Sequence, residues 1–318
     1  MRIAVNGVGC GWGNNGGTQS IFRMAAALRR LGADVELWSE IPNKFTWFKP
    51  EAKLRQTTLD SAPEVDVLIN TGCNTTMATY RYPRKKVGIQ WLRGHETWAR
   101  SEEDLKKLYA LDMPLWVNSE WMLPFRKDAE VQYCGIPWQQ FYPIKRDGDE
   151  RLHIGGLWSE KSHKRAVDIL KLMQHPNLQD VQWLLFGNEP KPSGLPSNCN
   201  YLWRPDMDHK RMLFSSCDIW IAASELEGLH IPPMEAAMCG AAVVANGAST
   251  AGNIDYCING TTGLHYADLL HAVECIEKLR NPELRNKLNE AMQQVIRIKI
   301  GDVETNAKRM LARLEKLL

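Results

Sequence analysis

Glu227 and Glu235 are separated by seven residues and bracket the segment Gly228-Leu-His-Ile-Pro-Pro-Met234. The run before them, Asp218-Ile-Trp-Ile-Ala222, reads as a buried strand, and the Pro-Pro pair can start a helix. A turn leading from a strand into a helix N-terminus presents backbone N–H groups, which makes a good seat for a diphosphate. Each contact between an anion and a helix terminus is worth about 0.3 to 1 kcal/mol, rising to about 2 when partly buried, so several donors must act together. Carboxylates on either side of such a seat can hydrogen-bond sugar hydroxyls on one side and a ribose diol on the other. The competing reading is structural: Glu227 caps a turn, and Glu235 is an N-terminal helix charge.

Other segments carry residue types suited to the same chemistry. Gly155-Gly-Leu-Trp-Ser-Glu-Lys-Ser-His-Lys-Arg165 reads as a strand, a loop and a helix start with three cations, Lys161, Lys164 and Arg165. On residue type alone they form a solvated basic turn. Asn14-Asn-Gly-Gly-Thr18 follows the first strand, and its small residues, Gly16 and Gly17 among them, let a ligand approach the backbone. His95 lies in Val87-Gly-Ile-Gln-Trp-Leu-Arg-Gly-His-Glu-Thr-Trp98, which runs off a strand end. Asp206-Met-Asp208 has the look of a metal-binding pair, but it precedes a helical run, so N-capping is the expected role and no metal site is assigned. Arg81, Arg84, Lys85, Lys86 and Arg93, interleaved with Tyr80, Tyr82 and Trp91, form either a basic aromatic patch for an anionic acceptor, nucleic acid or lipid headgroups, or an exposed loop and strand edge.

Glu227-Gly-Leu-His-Ile-Pro-Pro-Met-Glu-Ala-Ala-Met-Cys-Gly240 closely resembles the donor motif E-G-F-G-L-P-x-x-E-A-M-A-x-G of retaining glycosyltransferase family 4, a family of GT-B fold. Leu229 stands where that motif has phenylalanine and His230 where it has glycine. The resemblance extends to the Gly16-Gly17 loop, to Val131-Gln-Tyr-Cys-Gly-Ile-Pro-Trp-Gln-Gln-Phe-Tyr-Pro143 as an interdomain segment, and to the late turn Ile258-Asn-Gly-Thr-Thr-Gly-Leu264. It implies that Glu227 contacts the donor sugar, Glu235 the nucleotide ribose, and the backbone of Gly228, Leu229, His230 and Ile231 the diphosphate and sugar. Lys161 matches the lysine of the family's G-R-L-x-x-x-K-G pattern, whereas Gly156 occupies the arginine position, so Lys164 or Arg165 is a candidate replacement. His95 is the nearest candidate for a first-domain histidine that contacts the donor sugar. The implied activity is metal-independent, retaining transfer of a hexosyl or related sugar from a UDP- or GDP-sugar, UDP favoured. The donor is a substrate, no cofactor is implied, and the acceptor is open among saccharides, lipid-linked compounds and modified nucleic acid. Competing readings are a GT-B epimerase or hydrolase of nucleotide sugars and a non-catalytic nucleotide-sugar or nucleic-acid binding protein.

The elements needed to position these residues are legible in outline. Short β-like runs alternate with helical patterns throughout, the signature of parallel sheets covered by helices, and the polar stretch around 141–150 suits a linker. The expected α/β architecture is GT-B: two doubly wound Rossmann-like domains facing across a cleft, 1–144 on the acceptor side and 145–318 binding the nucleotide sugar. The last helix is free to pack back on the first domain. With 318 residues and a formal net charge of +2, bulk electrostatics implies no polyanionic partner. Eight dispersed cysteines, without a C-x-x-C pair, point to a reducing cytoplasm. No apolar stretch approaches a membrane span, so contact with a membrane would be peripheral.

Overall fold

Every strand among the described residues pairs in parallel, as the alternation of apolar runs and helical patterns predicts. The computed structural model describes residues 1–13, 15–41, 45, 48–145 and 148–318. Asn14 of the glycine-rich loop, and residues 146–147 of the expected linker, lie outside the described residues. The chain divides into two units, Met1–Gly135 with Gly301–Leu318, and Ile136–Ile300.

The first unit contains β1 (Arg2–Asn6), α1 (Gly16–Arg30), β2 (Asp34–Ser39), β3 (Lys53–Gln56), β4 (Val65–Asn70), α2 (Cys73–Arg81), β5 (Lys85–Leu92), α3 (Glu102–Tyr109), β6 (Leu115–Val117) and β7 (Glu130–Val131). Its seven strands run in the order β3-β2-β1-β4-β5-β6-β7. The order reverses between β1 and β4, the switch point at which doubly wound sheets bind ligands. Val67, Leu68 and Ile69 are almost fully buried, as expected of a central strand covered on both faces.

The C-terminal helix, Val303–Leu317, belongs to this unit. Arg313 donates to the Val131 carbonyl (2.7 Å), Gln132 to the Asn306 carbonyl (3.3 Å), and Arg30 of α1 pairs with Glu304. The contacts divide the chain after Gly135 and return it to the first unit at Gly301. No helix among the described residues is long and apolar enough to cross a membrane.

The second unit comprises β8 (His153–Trp158), α4 (Ala166–Met173), β9 (Gln182–Gly187), β10 (Cys199–Trp203), α5 (Met207–Ser216), β11 (Ile219–Ala222), α6 (Ile231–Met238), β12 (Ala242–Asn246), β13 (Leu264–Tyr266), α7 (Leu269–Lys278) and α8 (Pro282–Val295). The strand order is β10-β9-β8-β11-β12-β13, with its reversal between β8 and β11. Ile154, Trp183, Leu185, Ile219, Ile221 and Val244 fill the sheet side of the core, and Ile169, Leu172 and Ile276 reach it from the helices.

Gly135 has φ +68°, and a Cβ there would collide with the carbonyl of Asp302 and lie 2.7 Å from the Val303 nitrogen. Gly135→Ala is expected to lower stability by at least about 2 kcal/mol, through left-handed backbone strain and overpacking. Urea denaturation checks this, and a loss below about 0.5 kcal/mol would contradict the packing described.

Candidate functional site

The segment after β11 is shaped by a second loop that follows β12. Glu227 donates its amide to the Thr250 carbonyl (2.9 Å), His230 donates its amide to the Gly252 carbonyl (3.2 Å), and Tyr256 Oη donates to the His230 carbonyl (2.6 Å). Gly252 has φ +68°, and a Cβ on it would approach the Gly228 oxygen to 2.6 Å, so the two loops pack backbone to backbone. The helix then begins at Ile231, with Pro232 and Pro233 as its second and third residues. Prolines fit this turn but have no N–H to give. With the amides of Glu227 and His230 also engaged, the seat offers fewer donors to an anion than a helix start ordinarily does.

Side-chain charge therefore matters more here. Lys164, just before α4, places Nζ 2.5 Å from Glu227 Oε1, with the two side chains 21% and 14% exposed. His230 Nε2 lies 3.7 Å from the same oxygen in a side chain only 3% exposed. Its Nδ1 has no hydrogen-bond partner among the described residues. Burial pushes the Glu227 carboxyl up, but the Lys164 ammonium and His230 more than offset this, leaving it below its ordinary value. Burial drives His230 down to about 4, against the pull of Glu227 and with help from Lys164. At neutral pH the cluster is thus an ionised glutamate, a lysine and an uncharged imidazole.

The cations of the β8–α4 connection separate into distinct roles. Arg165 has φ +49° and pairs with Asp168 (2.7 Å) and Glu225 (3.0 Å), so it braces the loop. Lys161 is exposed and makes no ion pair with a described residue. The residue directly before α4 is the left-handed Arg165, preceded by Lys164. Gly156 sits in β8 facing the core, where a Cβ would lie 2.6 Å from Ile169 Cδ1, leaving no room for an arginine.

Glu235 is 1% exposed and pairs with Lys210 Nζ at 2.7 Å. Lys210 is itself 8% exposed, and sequence reasoning missed it. The available signal was its place on the apolar face of α5, in register with Leu213 and Phe214, the other buried residues of that helix.

In the first unit, Asn15 Oδ1 accepts from Thr18 N (2.9 Å) and caps α1, whose first two residues are the exposed Gly16 and Gly17. His95 has both ring nitrogens engaged, Nδ1 with Tyr109 Oη (3.0 Å) and Nε2 with Glu102 (2.7 Å), and its ring lies against Phe125. To meet a sugar it would have to release one of these partners. The basic aromatic residues do not form one patch. Arg84 donates to the carbonyls of Leu59 and Asp60, Lys85 to those of Tyr80 and Tyr82, and Lys86 pairs with Asp66, all near the start of β5. Arg93 lies beyond the other end of β5, stacked over Trp91 and bonded to Ser20 Oγ at 2.5 Å. Asp206 is the N-cap of α5, accepting from His209 N (2.9 Å), and Asp208 pairs with Arg211.

Two doubly wound parallel sheets of seven and six strands, with an acidic and basic cluster at a strand-to-helix turn of the second, make up a GT-B fold. Residues 138–295 match the family of glycosyl transferases group 1. Among solved structures, sucrose-phosphate synthase from Thermosynechococcus elongatus is similar over 100% of this chain and 99% of that one, with 16% identity and a TM-score of 0.81. HepE of Anabaena, in complex with UDP-glucose, is similar over 99% of this chain and 100% of its own, with 14% identity and a TM-score of 0.80. A glycosyltransferase from Rickettsia africae covers 99% of this chain and 98% of its own, with 15% identity and a TM-score of 0.78. At these identities the likeness is one of fold. No curated protein matches the chain.

The buried imidazole makes a prediction about acid. An unfolded chain protonates His230 near its ordinary value of 6.5, whereas the folded chain resists until about 4, so stability is lost as pH falls through that window. Glu227, held below its ordinary 4.5, adds stability above that value and loses it on further acidification. His230→Gln is therefore expected to remove about 2 kcal/mol of the wild-type loss between about pH 6.5 and 4.5. Urea titrations at the two pH values measure it, and an unchanged pH slope refutes the burial argument.

Proposed function

We propose that the chain is a glycosyltransferase of family 4 that moves a hexosyl or related sugar, with retention, from a nucleotide-diphosphate donor to an acceptor hydroxyl. UDP-sugars are the favoured donors, a choice supported by the UDP-glucose complex of the similarly folded HepE. The observation that carries the reading is the Lys164–Glu227–His230 cluster at the start of α6, with Glu235 eight positions along.

Departure of the diphosphate leaves an oxocarbenium-like sugar while negative charge builds on the leaving group. Lys164 is the cation closest to hand: moving from Glu227 to the phosphate neutralises that charge and frees the carboxylate for sugar hydroxyls. His230, uncharged, presents no second positive charge to compete for Glu227. Glu235 holds the ribose. In a same-face mechanism the departing phosphate itself helps deprotonate the acceptor hydroxyl, so neither a further carboxylate nor a metal is required. The seven buried thiols and the exposed Cys10 fit work in a reducing cytoplasm.

Calorimetric binding of UDP-glucose and a GDP-sugar, together with release of radiolabelled sugar, tests the reading. Glu227→Ala and Lys164→Ala are each expected to lower donor turnover about 100-fold or more, as loss of one preorganised charge contact does. If no sugar nucleotide binds, or the variants behave as wild type, the proposal fails. Rapid turnover without any acceptor would point instead to a nucleotide-sugar hydrolase or epimerase.

A further inference from the structure

Burying a lysine is costly unless its charge is matched, and helix α5 buries one. The Lys210 ammonium meets Glu235 Oε2 at 2.7 Å and lies 5.4, 5.9 and 5.7 Å from the ring centroids of Phe141, Phe186 and Phe214. Three aromatic rings favour a cation at this spot and keep it from turning outward to water. The pair joins α5 to α6, the helix that carries Glu235. A glutamate side chain has several rotors, and an ion pair in a low-dielectric enclosure fixes them.

We propose that Lys210 is a positioning residue: by gripping one oxygen of Glu235 it holds the carboxylate in the orientation that receives the ribose diol of the nucleotide. This rests on the reading of Glu235 as the ribose-binding group. The alternative is that the pair merely ties two helices together, and the two roles leave different signatures. A tie that loosens weakens every nucleotide alike, whereas a mispositioned carboxylate weakens only ligands that have ribose hydroxyls.

The experiment compares UDP with 2′,3′-dideoxy-UDP by calorimetry on the full chain. Wild type is expected to favour UDP by about tenfold or more, the worth of hydrogen bonds to a charged group. Lys210→Met is expected to reduce that preference to about twofold while changing affinity for the dideoxy analogue by less than about threefold. Lys210→Arg, which keeps the charge, should recover most of the preference.

Glu235→Gln separates the two levels of the argument. If it loses the preference while Lys210→Met keeps the wild-type ratio, Lys210 does not position Glu235 and the inference falls alone. If Glu235→Gln also keeps the ratio, or wild type shows none, the ribose reading falls and takes the inference with it. Should Lys210→Met not fold by circular dichroism, Lys210→Gln is read by the same ratio, and a wild-type value there overturns the proposal.

Discussion

A carboxylate taken out of water must find a positive charge, and the two glutamates around α6 in the second unit each do so. Glu227 is matched by Lys164 from the β8–α4 connection, and Glu235 by Lys210 from α5. Each pair links the α6 region to a segment distant in sequence, so the charges also fix which elements lie together. Breaking one partner of such a pair costs more than the pair contributes, because the other charge is left buried alone. The arrangement of α4, α5 and α6 around the site is therefore a condition for the acids to be there at all.

The two lysines differ in their surroundings. Lys164 is partly exposed and sits beside a neutral imidazole, which leaves room for the exchange of Glu227 for a phosphate that the proposed reaction requires. Lys210 is enclosed by aromatic rings and has no comparable exit. One pair is suited to rearranging during a reaction and the other to standing still.

The fold was legible in the sequence because parallel strands buried on both faces write themselves as short apolar runs between helical patterns. The turn from Glu227 to Glu235 was legible because glycine and proline mark it directly. What failed to show were contacts across long separations. The resemblance assigns the lysine role to Lys161 by its place after Gly155-Gly156, and the left-handed residue of the same loop, Arg165, is one that a sequence pattern built on glycine does not reveal. The Pro-Pro pair announced the helix start while silently removing two of its amides. His95 has a strand-end position that suggests exposure, yet Tyr109 and Glu102 hold both its nitrogens. The basic residues around β5 could be read as one patch or as a loop and strand edge because sequence distance ignores the length of the strand between Lys86 and Arg93.

The return of the C-terminal helix to the first unit bears on how the protein is made. Residues 136–300 form one contiguous unit, whereas the first unit needs both Met1–Gly135 and Gly301–Leu318. On the ribosome, chains fold as they emerge, N-terminal segments first. Here the part synthesised first must wait, with the α1 surface that the final helix covers still bare, while the inserted unit has every residue it needs and can mature ahead of it.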